Sequence, residues 1–263
     1  MNLPPTAPDA RLQPFAVAAQ RTLVVFGAPV ELVFVPERQR RQGRATSDRP
    51  ALARSRAATI VAEEGLWRDE RHAVTPNRYP FAAQQRILWP LAVQREPDRP
   101  MWQVAGAWAD AAGGTALLNS VGAAATIARA HAHLLPERLG FLPALRTRPL
   151  REPPIDLPPA TELVAADVPF CLLGVRGPAE GRAEALLRLG EARLTAAGNV
   201  VVQDGTAWLY PRRLETPAPH FPFALGAAEV WGRWCYGERA PFDAATAVDL
   251  ERALVAAGAE PLP

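Results

Sequence analysis

Short apolar runs separated by turn-forming residues set the pattern of this chain. Residues 23–26 and 30–35 are β-branched and aromatic and flank Gly27-Ala28-Pro29, which predicts a β-hairpin. Residues 37–48 are polar and rich in Arg and read as a loop, and residues 51–65 as partly helical. Residues 86–89 predict a strand, and 101–112 a helix ended by Gly113-Gly114. Residues 115–118 predict a strand, 121–125 a turn of small residues, and 126–135 a second strand. On that strand His131, His133 and Leu135 share one face. In the second half, 168–175 reads as a strand. Residues 178–197 read as an amphipathic helix with Leu186, Leu187 and Leu194 inward and Gly198 just past its end. Residues 199–203 and 206–210 alternate around Asp204-Gly205, a hairpin signal. Asp243 is placed to cap a last helix running through Val255, with Gly258 beyond it.

Each half thus mixes antiparallel strands with helices, so the expected class is α+β. The stretch 148–159 holds Pro149, Pro153, Pro154, Pro158 and Pro159 and is the linker candidate, dividing the chain into lobes 1–150 and 151–263. The 28 prolines among 263 residues argue against a helical bundle. All 29 basic residues are Arg. Without Lys there is no Schiff base, no pyridoxal-phosphate anchor and no phosphate-binding lysine of the Walker or kinase kind. A net charge of +2 gives no electrostatic case for nucleic acid or a membrane surface. The two cysteines, Cys171 and Cys235, form no Cys-x-x-Cys, are too few for a disulfide framework and suit a reducing cytoplasm. The first residues carry no signal-peptide pattern, and no run of 18 apolar residues predicts a membrane helix.

Chemistry concentrates around two of the four histidines, His131 and His133; His72 and His220 are expected at the surface. Upstream lies Leu118-Asn119-Ser120-Val121-Gly122-Ala123-Ala124-Ala125, a strand end followed by small residues. Such backbone can approach an anion and offer its N–H groups, or simply make a tight connection. Neutral imidazole is a competent nucleophile toward phosphorus and leaves readily afterwards. Taken by itself, His-x-His reads first as two ordinary strand histidines, exposed at the surface or satisfied in the core, and only second as a site. The Arg run at 38, 40, 41 and 44 reads first as a solvated face and second as an anion clamp. Trp231 and Trp234 read as packing residues.

The ordered set Asn119-Ser120-Val121-Gly122-Ala123, then His131-Ala132-His133, resembles the histidine-triad superfamily. It is most similar to the branch holding galactose-1-phosphate uridylyltransferase, diadenosine tetraphosphate phosphorylase and GDP-L-galactose phosphorylase. Asn77-Arg78-Tyr79-Pro80-Phe81 resembles the second motif of that branch, Val33-Phe34-Val35-Pro36-Glu37-Arg38 an upstream segment, and 198–232 its C-terminal lobe. The resemblance implies two lobes, each an antiparallel sheet with packed helices. It also implies a nucleotidyltransferase or phosphorylase acting at the α-phosphate of a nucleoside diphosphate-sugar or dinucleoside polyphosphate. In that reaction His133 is the nucleophile, and His131 fixes its ring through a backbone carbonyl. Asn119, Ser120, Gly122 and Ala123 border the phosphates, and Asn77 contacts the nucleotide or a phosphate. In the absence of Lys, Arg38, Arg78 and Arg212 neutralise a second anion. The implied partners are a nucleotide or nucleotide-sugar and phosphate or sugar phosphate, with a homodimer as the assembly such relatives suggest. No cofactor and no metal are called for.

Three departures stand out. The Gln that usually follows His-x-His-x is Leu135, residues 127–130 lengthen the gap before His131, and Gln85 stands where a His often follows the second motif. Losing one donor at a transition state costs roughly 10²–10³ in rate. Two alternatives therefore stay open: a non-catalytic nucleotide-binding or interaction protein, and a hydrolase with water as acceptor.

Overall fold

A computed structural model describes residues 2–41 and 57–263. The expected first hairpin forms as β1 (Ala19–Val25) and β2 (Ala28–Phe34), turning through Phe26 and Gly27 at φ 50° and 78°. Two successive left-handed residues match the twist of the paired strands. A 3-10 turn (Pro36–Arg41) follows; the remainder of the expected Arg-rich loop and the start of the expected helix lie outside the described residues. Next come α1 (Ala57–Glu63), β3 (Trp67–Arg68), β4 (His72–Pro76) and β5 (Arg86–Pro90). α2 (Arg99–Ala112) is capped by Asp98, which accepts from the Met101 N–H at 3.0 Å, and stops at left-handed Gly113. β6 (Thr115–Asn119) and β7 (Ala132–Leu135) pair antiparallel. α3 (Phe141–Ala144), β8 (Thr147–Pro149), β9 (Glu162–Ala166) and β10 (Leu173–Arg176) precede α4 (Ala179–Glu191). β11 (Ala197–Gln203) and β12 (Thr206–Arg212) form the hairpin on Asp204 and Gly205, at φ 51° and 68°. Then follow α5 (Ala227–Trp231), β13 (Arg233–Tyr236), α6 (Arg239–Ala244) and α7 (Ala247–Ala257).

Ten strands make one sheet in the order β3-β4-β5-β7-β6-β11-β12-β10-β9-β8, antiparallel throughout. The architecture is α+β, two five-stranded halves meeting where β6 pairs with β11. Position 150 falls between β8 and β9, which pair with each other. β13 returns to the first hairpin and runs parallel to β2, completing a three-stranded sheet. Period-two alternation divides the strand residues between two large cores, with a smaller cluster of Val61, Ala73, Ile87 and Trp89. Leu88, Leu118, Leu134 and Val200 pack with Trp102 and Trp108 of α2 and Leu186 of α4. On the other face Leu117, Leu135, Val201 and Tyr210 pack against Leu32 and Trp234 of the small sheet and Leu254 of α7. Trp231 and Trp234 are fully buried packing residues. No helix among the described residues is long and apolar enough to cross a membrane.

Five sequence expectations are corrected. Of the strand expected over 168–175 only residues 173–175 are strand, as part of β10. Only Ala132–Leu135 of the strand expected over 126–135 pairs, because tertiary bonds pull the preceding residues away. The buried Arg129 guanidinium donates to the carbonyls of Pro90 and Leu91, and the Ala130 N–H donates to the Gln94 carbonyl at 2.8 Å. α4 ends at Glu191, ahead of left-handed Arg193, and Gly198 lies inside β11. Thr246, not Asp243, caps α7, accepting from the Asp249 N–H at 3.2 Å; the Asp243 carboxylate is taken by Arg239. His72 is buried, its Nδ1 3.4 Å from the Asp69 carboxylate.

Two buried ionisable groups hold the second face together. Arg233 on β13 donates to Glu31 of β2 at 2.7 and 3.1 Å and to Glu137 at 2.7 and 3.1 Å, and its guanidinium lies 5.1 Å from the Trp231 ring. Glu229 of α5 is buried and accepts from the Gly226 N–H at 2.7 Å; burial pushes its carboxyl up to about 7 against the pull of that bond.

Arg233→Met leaves two half-buried carboxylates facing each other. The expected loss is about 3 kcal/mol or more, read by calorimetry as a fall in Tm of roughly 6–12 °C; an unchanged Tm contradicts the assignment. The folded protein holds a proton on Glu229 that the unfolded chain releases at an ordinary carboxyl value. Stability from this group is therefore present in acid and lost as pH rises through about 7. Glu229→Gln keeps an acceptor for Gly226, so its Tm should exceed that of the parent at pH 8 and match it at pH 5. Equal differences at both pH values exclude the effect.

Candidate active site

His133 sits in the middle of β7, opposite Leu117 of β6 and Ile87 of β5, on the face turned toward the small sheet. Its neighbours in the strand, Ala132 and Leu134, point into the helical core, so the alternation leaves His133 no other side. The ring is half-buried. It meets His131 edge-on at 5.3 Å between centroids and Phe81 edge-on at 5.3 Å. His131 is buried, stacks on Trp89 at 5.0 Å, and donates from Nδ1 to the Arg129 carbonyl at 2.8 Å. Gln85, also buried, accepts from the Phe81 N–H at 2.8 Å and sets its amide nitrogen 2.9 Å from His133 Nδ1.

Asn77 shapes the approach to this cluster. Its side-chain oxygen accepts from the Tyr79 N–H at 3.1 Å, a local turn that brings the chain back at Phe81. Arg38 donates to the Tyr79 and Pro80 carbonyls at 3.0 and 3.1 Å and lies 5.6 Å from the Phe81 ring, one residue removed from His133. Arg78 points elsewhere. It is exposed, pairs with Glu64, and lines a separate cavity of about 320 Å³ with Arg11, Glu63 and Pro76.

The small-residue loop begins where β6 ends. Asn119 accepts from Asn199 Nδ2 at 2.8 Å and from the Ala227 N–H at 2.7 Å. Ser120 Oγ accepts from the Gly198 N–H at 2.8 Å, and the Ser120 carbonyl accepts from Ala123 and Ala125 at 3.0 and 3.3 Å. Gly122 has φ +90°, a backbone that a side chain would strain, and Ala124 has φ 70°. The Ala124 N–H donates to the Glu215 carboxylate at 2.9 Å, so an internal anion already bonds one of the loop's amides. Arg212 is buried and spent on framework: it donates to Asn199 Oδ1 at 2.7 Å and to the Glu215 carbonyl at 3.1 Å. Leu135 is fully buried in the core and offers no donor.

The structure thus gathers His131, His133, Asn77 and Arg38 around one ring cluster, with Asn119, Ser120, Gly122, Ala123 and Arg212 at the adjoining seam between the halves. Arg78 lies apart. Sequence reasoning missed Glu215, which reaches the loop from 91 positions away, and the bonds made by Gln85. The position of Gln85 was marked in the sequence, where a His often follows the second motif, but not what it bonds. Cys171 and Cys235 are buried, and burial pushes both thiols up to about 11. Among the described residues no group of three or more His, Cys, Asp or Glu is arranged to hold a metal.

No protein-family model matches the sequence. No curated protein matches it either. Solved structures do. Yeast Ap4A phosphorylase Apa2 in complex with Ap4A superposes with a TM-score of 0.68 at 13% identity, over 96% of this chain and 93% of that one. The same protein in complex with AMP gives 0.70 at 13% identity, over 96% and 91%. At that identity the likeness concerns the fold, and it spans both halves of the sheet. The chain shares the histidine-triad-like α+β fold of those structures.

Proposed function

We propose that the chain is a nucleotidyltransferase or nucleotide phosphorylase, acting through His133 at the α-phosphate of a nucleoside diphosphate-sugar or dinucleoside polyphosphate. The observation that carries this reading is the setting of His133: a half-buried imidazole on a sheet strand, gripped by Phe81, Gln85 and His131. A ring held on so many sides can present its outer nitrogen along one direction, which is what displacement at phosphorus requires. The fold supports it, since the matching structures are of a protein named a phosphorylase and hold Ap4A and AMP. In the first step the Nε2 lone pair attacks the α-phosphorus. The P–O bond to the leaving phosphate breaks, and its electron pair departs on that oxygen. In the second step an oxygen of phosphate or a sugar phosphate attacks the same phosphorus, and the P–N bond returns its pair to Nε2. Arg38, next to Phe81, is the cation suited to the polyphosphate. Gly122 and Ala123 border it, and Asn119, Ser120 and Arg212 fix their loop. Asn77 shapes the turn carrying Phe81.

A second reading, binding without transfer, is favoured by Leu135 in the place of a donor and by Glu215 on the Ala124 amide.

Incubation with radiolabelled dinucleoside polyphosphates and nucleotide-sugars should leave acid-labile label on His133. His133→Asn should lose the label and at least about 10³-fold in turnover, while AMP affinity by calorimetric titration moves only a few-fold. Nucleotide affinity with neither label nor turnover, for any common base, selects the binding reading; absence of affinity as well removes both.

A further inference from the structure

The Phe81 N–H fixes which way the Gln85 amide points. A backbone amide is a donor, so the Gln85 atom 2.8 Å from it is the oxygen, and the nitrogen is the atom 2.9 Å from His133 Nδ1. An amide NH₂ only donates. His133 Nδ1 is therefore the acceptor, and the neutral ring carries its proton on Nε2. His131, 5.3 Å away, is held the opposite way, because its Nδ1 faces the Arg129 carbonyl and must carry the proton there. Two touching imidazoles thus rest in opposite tautomers.

We propose that Gln85 is a positioning residue that holds resting His133 in its Nε2–H tautomer, so that the ring first meets a phosphate oxygen as a hydrogen-bond donor and must exchange tautomer before Nε2 can attack phosphorus. This rests on the nucleotide site read above, and it sets both the ligand that the resting site prefers, an oxyanion, and the step that limits transfer. Moving the proton to Nδ1 points it at the Gln85 NH₂. Rotating the amide to avoid that points the NH₂ at the Phe81 N–H. Either way a buried donor opposes a donor, and Gln85 is 1% exposed, so water does not relieve it. The attacking tautomer is disfavoured by about ten- to a hundredfold. A carboxylate at this position has two acceptors, one for the Phe81 N–H and one for an Nδ1–H, and reverses the preference.

Long-range ¹H–¹⁵N NMR on the whole labelled chain, at a pH where the rings are neutral, reads the tautomers directly. His133 is assigned by its loss in His133→Asn. The parent protein is expected to show the proton on Nε2, and Gln85→Glu on Nδ1. A proton on Nδ1 in the parent overturns the proposal, and so does an unchanged tautomer in a folded Gln85→Glu protein. If that variant does not fold, the parent spectrum decides alone. In the turnover arm, Gln85→Glu should raise kcat for nucleotidyl transfer about tenfold while KM also rises, because the ring no longer offers an Nε2–H to the phosphate. Tautomers that exchange as expected while neither protein transfers a nucleotide uphold the positioning role and count against the transfer reading instead.

Discussion

Where the two halves of the large sheet meet, β6 sets Asn119 opposite Asn199, and a buried polar network closes around the pair. Asn199 is fully buried, and its amide must be satisfied from within the protein. Its nitrogen donates to Asn119 and to the Ala123 carbonyl, and its oxygen accepts from Arg212. Arg212 in turn carries a full charge into the interior and spends its donors on backbone carbonyls of residues 214, 215 and 225. A network of this kind is stabilising only when every member is present, because any vacancy leaves an unpaired polar group in a low-dielectric setting. The continuous sheet, the left-handed loop at Gly122 and Ala124, and the start of α5 all hang from it. Side chains that read as phosphate ligands in the sequence are in this way the joinery that places the loop beside the histidines.

The exclusive use of Arg takes on a structural meaning here. Guanidinium groups are planar, stay charged when buried and make several bonds at once. Arg212, Arg233, Arg86, Arg129 and Arg182 are all buried, and each reaches carbonyls or carboxylates of a different part of the chain. A Lys ammonium in the same positions has a single nitrogen and fewer directions. The basic residues thus serve the interior more than any external anion, and of the three Arg marked for phosphate only Arg38 stands beside the imidazoles.

Local signals in the sequence carried well. The Asp204-Gly205 turn, the α2 helix with its Gly113 stop, and the first hairpin depend on backbone preferences within a few residues. The ordered motifs carried the fold, even though identity to the matching structures is 13%. What failed was decided at a distance. Residues 126–130 alternate like a strand, yet the Arg129 guanidinium is drawn to the end of β5 and the pairing is lost. Asp243 and Thr246 are equally good caps on paper, but an Arg one turn earlier claims the Asp. His72 is buried because Asp69 folds back over it. In the candidate site the two rings were legible and their partners were not: Gln85 and Trp89 reach the rings from either end of β5, and Glu215 bonds the neighbouring loop at Ala124.

The parallel placement of β13 beside β2 also has a bearing on how the molecule is made. Arg233 and Glu31 are 202 positions apart, so at a synthesis rate of about 5–20 residues per second their meeting comes roughly 10–40 s after Glu31 is added to the chain. During that interval the sheet face that bears His133 has no Trp234 or α7 to cover it. The nascent chain must carry an uncovered apolar surface until β13 and α7 have been added.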